Sequence, residues 1–170
     1  MKKISIDLSV SSIEEAIREI EEYKNSLVYK TAKFVERLAD IGIPVIDANM
    51  YTEGDSNPEH NVYVRMRSFG AYSEAVLVLQ GKDILFIEFG AGVHYNGAVG
   101  MSPHPKGQDM EYTIGSYGQG KGANDSWVYF SEDEGRFKTS HGTKASMPMY
   151  KAGVEIRRQV LQIAREVFGG

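Results

Sequence analysis

Residues 85 to 97, LFIEFGAGVHYNG, decide how the rest of this chain is read. An apolar run reaches Glu88, then glycines follow at Gly90, Gly92 and Gly97 with His94 and Tyr95 among them. The stretch can be a phosphate cradle, a metal site or a structural corner. Its neighbours on both sides choose between the three.

Immediately upstream, DILFIEF at 83–89 joins VYVRMRS at 62–68 and EAVLVLQ at 74–80 as segments rich in β-branched and aromatic residues, which predicts three strands. Gly81-Lys82 between EAVLVLQ and DILFIEF predicts a tight antiparallel hairpin. On that reading Glu88 sits opposite Ile87 at the end of a buried strand. YTEGDSNPEHN, before the strands, is a polar loop.

Further upstream, Ile13, Ala16, Ile17, Ile20, Tyr23, Leu27, Phe34, Val35, Leu38 and Ile41 recur every three or four residues, the signature of one helix face. Ser11 and Ser12, with Glu14 and Glu15 three residues on, form a capping-box pattern; Gly42 and Pro44 form a stop signal. The predicted helix runs from about 12 to 41. At ~1.5 Å per residue it is roughly 45 Å long, more than a compact domain covers with its own core, so part of it projects or meets a partner. The alternative is a helix broken near YKNSLVYK and packed within the monomer.

Downstream, residues 90–125 are glycine-rich and carry no sustained apolar period, which predicts a long loop that is functional or disordered in the free chain. EYTI at 111–114 is a candidate short strand inside it. Order returns with a strand in SWVYF at 126–130, a charged turn SEDEGR and a short FKT. The last element is a helix capped by Ser146, with Pro148 in its first turn and a buried stripe of Met149, Ala152, Gly153, Ile156, Val160, Ile163, Ala164 and Val167. The expected fold is one α+β domain over 1–170. It has an antiparallel sheet of about four strands packed against the long N-terminal helix and the C-terminal helix, with a flexible loop at about 90–125.

Bulk properties narrow the function. A formal net charge of −4 lacks the electrostatic footprint of a dedicated nucleic-acid binder. The chain has no cysteine, which excludes disulfides, thiolate metal sites and cysteine nucleophiles. The opening MKKISIDLSV has no signal-peptide hydrophobic core, and no apolar run approaches the ~20 residues of a membrane helix. A soluble chain with no membrane association is expected.

The catalytic alternatives each lack a part. GAGVHYNG is followed by no helix pattern to receive a pyrophosphate. GSYGQGKG at 115–122 resembles a Walker A loop, but Gly122 replaces the serine or threonine that holds magnesium. His60, His94, His104 and His141 have no spacing that pairs imidazoles on a helix. No G-x-S-x-G elbow is present. Glu88 without a partner acid reads as a hydrogen-bonding group directed at backbone or a neighbouring subunit. Trp127 and Tyr129 share one strand face and read as core or interface anchors. No catalytic, cofactor-binding or metal-binding residue is therefore nominated.

Taken in order, FIEFGAGVHYN, a glycine-rich loop, WVYF, and TSHGTKASMPMYKAG opening a terminal helix resemble the tail-completion or neck proteins of long-tailed bacteriophages and prophages. That family's pattern is a strand ending in Glu-Phe-Gly with another glycine soon after, a variable loop, a Trp-x-Tyr strand, a Thr-x-Gly turn, and a Pro-Phe-containing start to the last helix followed by an alanine. Glu88, Phe89, Gly90 and Gly92 match the first part, Trp127 and Tyr129 the second, and Gly142, Pro148 and Ala152 the last. Met149 stands where the family has phenylalanine, and the loop from 93 to 125 is longer.

The resemblance implies a structural virion protein at the head-tail junction or upper tail end, made in the host cytoplasm, acting in tail completion or head-tail joining through subunit contacts alone. It implies a ring, sixfold, that contacts tail and connector proteins and is monomeric when isolated, its loop ordering as neighbours arrive. Glu88, Phe89, Gly90 and Gly92 then form a structural corner that releases the loop, while Trp127, Tyr129, Gly142, Pro148, Met149 and Ala152 are interface or core anchors. The rivals are a small metal- or nucleotide-dependent hydrolase using Glu88, His94 and the glycine loops, and a dimeric adaptor paired through the long helix.

Overall fold

The computed structural model describes residues 5–51, 58–70, 72–96, 102–110, 125–132 and 134–169. It is an α+β arrangement with a long N-terminal helix, a C-terminal helix and two small antiparallel sheets of two strands each. The four strands are thus divided between two sheets and do not form one. EYTI and most of the predicted loop lie outside the described residues.

The first helix, α1 (Val10–Asn49), is 40 residues long and starts earlier and ends later than its sequence pattern predicts. Ser9, not Ser11 or Ser12, is the N-cap, its Oγ accepting the Ser12 N–H at 3.3 Å. The helix runs unbroken through YKNSLVYK. It also runs through Pro44, which lacks an N–H donor and crowds the preceding turn. Pro44 lies on the exposed side, while Ile46 and Met50 beyond it are 0% and 1% exposed. Burial of those two side chains outweighs the local cost of the proline, since each contributes about 1.5–3 kcal/mol.

Gly42 is likewise no stop. A Cβ there would lie 2.4 Å from Leu77 Cδ2 and 3.2 Å from Ile156 Cδ1, so its missing side chain lets three elements meet.

Strands β1 (His60–Phe69) and β2 (Tyr72–Gly81) pair antiparallel with Val62 opposite Leu79 and Val64 opposite Leu77. The hairpin therefore closes between Phe69 and Tyr72, not at Gly81-Lys82. After β2 the chain turns through Asp83, which adopts a left-handed φ of 60°, into a short helix, α2 (Ile84–Phe89). This overturns the strand predicted for DILFIEF. Helical spacing brings Ile84 and Ile87 together onto the core and leaves Leu85 in solvent. Strand alternation would have separated them, so tertiary burial overrides the β propensity of the run.

A single turn, α3 (Val93–Asn96), follows. Strands β3 (Trp127–Ser131) and β4 (Arg136–Ser140) form the second hairpin, and α4 (Pro148–Phe168) closes the fold. Helix α4 lies antiparallel to the second half of α1. Lys151 reaches Asn49 at 2.6 Å, Arg37 reaches Glu166 at 2.5 Å, and the rings of Phe34 and Phe168 are 5.6 Å apart. Ile46, Met50, Ile87 and Ala152 form the core, flanked by Val45, Val62, Leu77, Leu79, Ile84 and Met149. No helix of the described residues is long and apolar enough to cross a membrane.

Two predictions follow from this packing. Gly42→Val should lower the unfolding free energy by about 1–3 kcal/mol through overpacking, read from urea midpoints. The second concerns His60, whose imidazole joins β1 to α1: Nδ1 is 2.7 Å from the Pro58 carbonyl and Nε2 is 3.0 Å from Asp47 Oδ1. The Pro58 carbonyl and then Asp47 raise its pKa, against a lowering by burial. A raised folded pKa means that the stabilisation is full below the ordinary histidine value and is lost as pH rises through the folded one. Wild type should therefore lose more stability than His60→Gln between pH 6 and pH 8, and equal losses would refute the assignment.

Candidate functional site

Among the described residues Glu88 has no acidic partner, yet its buried carboxylate receives three hydrogen bonds. It is 5% exposed. Its Oε2 accepts the Met149 N–H at 2.8 Å, and its Oε1 accepts the Tyr150 N–H at 2.9 Å and the His104 ring at 2.9 Å. Met149 and Tyr150 are the second and third residues of α4, whose N-terminal N–H groups have no partner within the helix. A carboxylate at that end also meets the positive pole of the helix dipole.

The residue at the α4 N-cap, Met147, has a left-handed φ of 57° and supplies no side-chain cap. Ser146, predicted as the cap, is turned instead toward α2: its N–H donates to the Ile87 carbonyl at 2.9 Å and its Oγ at 3.3 Å. The Met147 N–H adds a third donor to the same carbonyl at 3.3 Å. Proline at the first helical position fits, because that position needs no donor. The cap is therefore supplied from 61 residues away in sequence.

His104 completes the cluster and is 6% exposed. Its Nδ1 accepts the Lys106 N–H at 3.0 Å, which leaves Nε2 as the donor toward Glu88. The ring stacks obliquely on Phe89 at 4.6 Å and edge-on to Tyr150 at 5.2 Å. Ser102 anchors the same segment, donating its Oγ to the Phe89 carbonyl at 2.7 Å and accepting the His104 N–H at 3.2 Å. Residues 102–104 are thus seated on the α2 corner, a placement that composition alone did not signal.

The glycines of the corner have separate tasks. Gly90, with φ 83°, ends α2 by donating its N–H to the Phe86 carbonyl at 2.8 Å. Ala91 and Thr143 then exchange backbone hydrogen bonds at 2.8 Å in both directions. A Cβ on Gly142, φ 94°, would fall 2.0 Å from the Ala91 carbonyl oxygen, and one on Gly92, φ 76°, would fall 3.0 Å from the Trp127 ring. Glu88, Phe89, Gly90, Gly92, Trp127, Gly142, Pro148, Met149 and Ala152 thus belong to one connected region. Tyr129 does not; it stands 45% exposed on β3.

The remaining candidates are weaker as chemistry. The rings of His94 and His141 come within 5.1 Å, a pairing invisible in sequence spacing. Among the described residues no group of three or more histidine and acidic side chains is placed to hold a metal ion. A half-open cleft of about 430 Å³ is lined by Lys82, Tyr129, Phe130 and Ser131, and by Glu132, Glu134 and Lys138. Glu134 there is already bonded to Lys138 and Arg136, which hold its carboxyl below the usual range.

The arrangement around Glu88 joins elements, and the reactive atoms of its carboxylate are occupied by donors. Glu88→Ala strands two backbone N–H groups and the His104 ring and should cost about 2–5 kcal/mol of stability, with faster hydrogen exchange at Met149 and Tyr150. His104→Phe, which keeps the ring packing, should cost less; the reverse order would contradict the capping role. Comparison of the chain with family models, with curated proteins and with solved structures finds no match.

Proposed function

We propose that this chain is a structural component of a long-tailed phage particle, acting at the head-tail junction or upper tail end in tail completion or head-tail joining. The observation that carries the reading is convergence. Three segments that resemble the tail-completion pattern, around Glu88, Trp127 and Pro148, lie far apart in sequence and meet at one corner. In that resemblance they form a single motif, and here they form a single packing unit.

Large apolar side chains left in solvent support the same reading. On the β3–β4 hairpin Phe130 and Phe137 face each other at 5.3 Å and are 52% and 73% exposed. Such surface is what subunit contact buries. On this reading the chain works by binding energy, as a ring of self-associated subunits, six in number, set between tail and connector proteins. It needs no cofactor and makes no dedicated contact with nucleic acid.

Deleting the gene from the source phage or prophage, with a complemented control, tests this directly. Electron microscopy of the lysate should show filled heads separate from finished or overlong tails. Normal infectious particles would overturn the proposal.

A further inference from the structure

The long helix carries one seam with two fates. In α1, positions three and four apart alternate strictly from Val10 to Val45, giving a heptad seam. Its second half, Phe34, Leu38, Ile41 and Val45, lies along the part of α1 that α4 and the core cover, and α4 reaches it as far as the Phe34–Phe168 contact. Its first half, Val10, Ile13, Ile17, Ile20 and Leu27, is 37% to 73% exposed. Residues 10–33 extend beyond the end of α4 by roughly 36 Å. The seam is therefore continuous with an established helix-helix interface and loses its cover where α4 ends.

We propose that a second copy of this chain covers the exposed half, its α1 antiparallel to the first. Helix α4 is itself antiparallel to α1, so the partner's α1 extends the line of α4 along the same seam. The register that fills the gap sets residue numbers summing to 37: Val10 opposite the partner's Leu27, Ile13 opposite the partner's Lys24, and Ile17 opposite the partner's Ile20. The interface is isologous and closes on two copies. The next layer along the seam is Thr31, whose counterpart by the same sum is the partner's residue 6, before the start of α1, and the layer after it is Phe34, where Phe168 already sits.

One seam charge bears on the orientation. Lys24 is the one charged residue in the exposed seam. In the antiparallel register it stands opposite the partner's Ile13, one residue from the level of the partner's Glu14 and within one turn of its own Glu21. In a parallel register it faces the partner's Lys24 in a desolvated layer, and both globular bodies crowd one end of the pair. Ala16, beside the seam, is buried at 4% exposed, so that flank of the helix is already covered, while the seam residues keep the exposures given above.

This inference does not rest on the tail-completion reading, and it sets a dimer in place of the isolated monomer that the resemblance implies. Sedimentation velocity of the full chain should show a reversible dimer at micromolar concentration. Ile17→Lys should weaken it about a hundredfold or more without moving the unfolding midpoint of the α1–α4 body, while Leu161→Lys on exposed α4 should leave it intact.

The absence of native cysteine allows single spin labels at Ser11, Arg18 and Asn25, which share one heptad position. The distance between copies should be shortest at Arg18, and at Ser11 and Asn25 the axial offset should be larger by roughly 20 Å. A monomer at all concentrations, a dimer indifferent to Ile17→Lys, or equal distances at the three labels would each overturn the proposal.

Discussion

The carboxylate of Glu88 is the constraint on which the arrangement of the C-terminal half depends. It sits in α2, caps α4 and receives His104, so three segments are fixed relative to one another by one side chain. Burying an acid costs several kcal/mol unless every oxygen finds donors. Here two backbone N–H groups and an imidazole meet that demand, and the helix dipole adds to it. The interaction works in both directions: the helix end needs an acceptor, and the buried acid needs donors.

Glycine placement is the second constraint, and it acts through backbone distance. Ala91 and Thr143 can exchange hydrogen bonds only because Gly142 has no Cβ to strike the Ala91 carbonyl. Gly42 leaves room in the same way for the side chains of Leu77 on β2 and Ile156 on α4 to pack against α1. In both places the missing side chain is the contact. A corner built from fixed backbone bonds and a filled carboxylate holds the segments around it at fixed spacing.

Much of this was legible before folding. The α+β class, the strands β1 to β3, the terminal helices and the expectation that Glu88 bonds to backbone all follow from periodicity, propensity and the habits of buried acids, whereas DILFIEF is reassigned and β4 is marked only as a short FKT segment. The misreadings share a cause. Pro44 and Gly42 carry local stop signals, and Ile84 to Phe89 carry β propensity, but each is overruled by burial of Ile46, Met50 and Ile87 against partners distant in sequence. Ser146 and Ser12 were plausible caps, yet capping is decided by which oxygen reaches the helix end, and that is a question of placement.

What the sequence by itself determined is the set of local preferences: a long amphipathic helix with a heptad seam, strand-forming runs, a proline-led terminal helix and glycines where the chain must turn. What only the tertiary structure decided is which of those preferences prevailed and who partners whom. Glu88 with Met149 and Tyr150, His104 with Glu88, His94 with His141, and the point at which α4 stops covering α1 all arise between residues far apart in the chain. Local propensities differ by about 1 kcal/mol or less per residue, whereas burying one large apolar side chain or satisfying one buried carboxylate is worth more than that. Long-range contacts therefore settle the cases in which the local signals conflict.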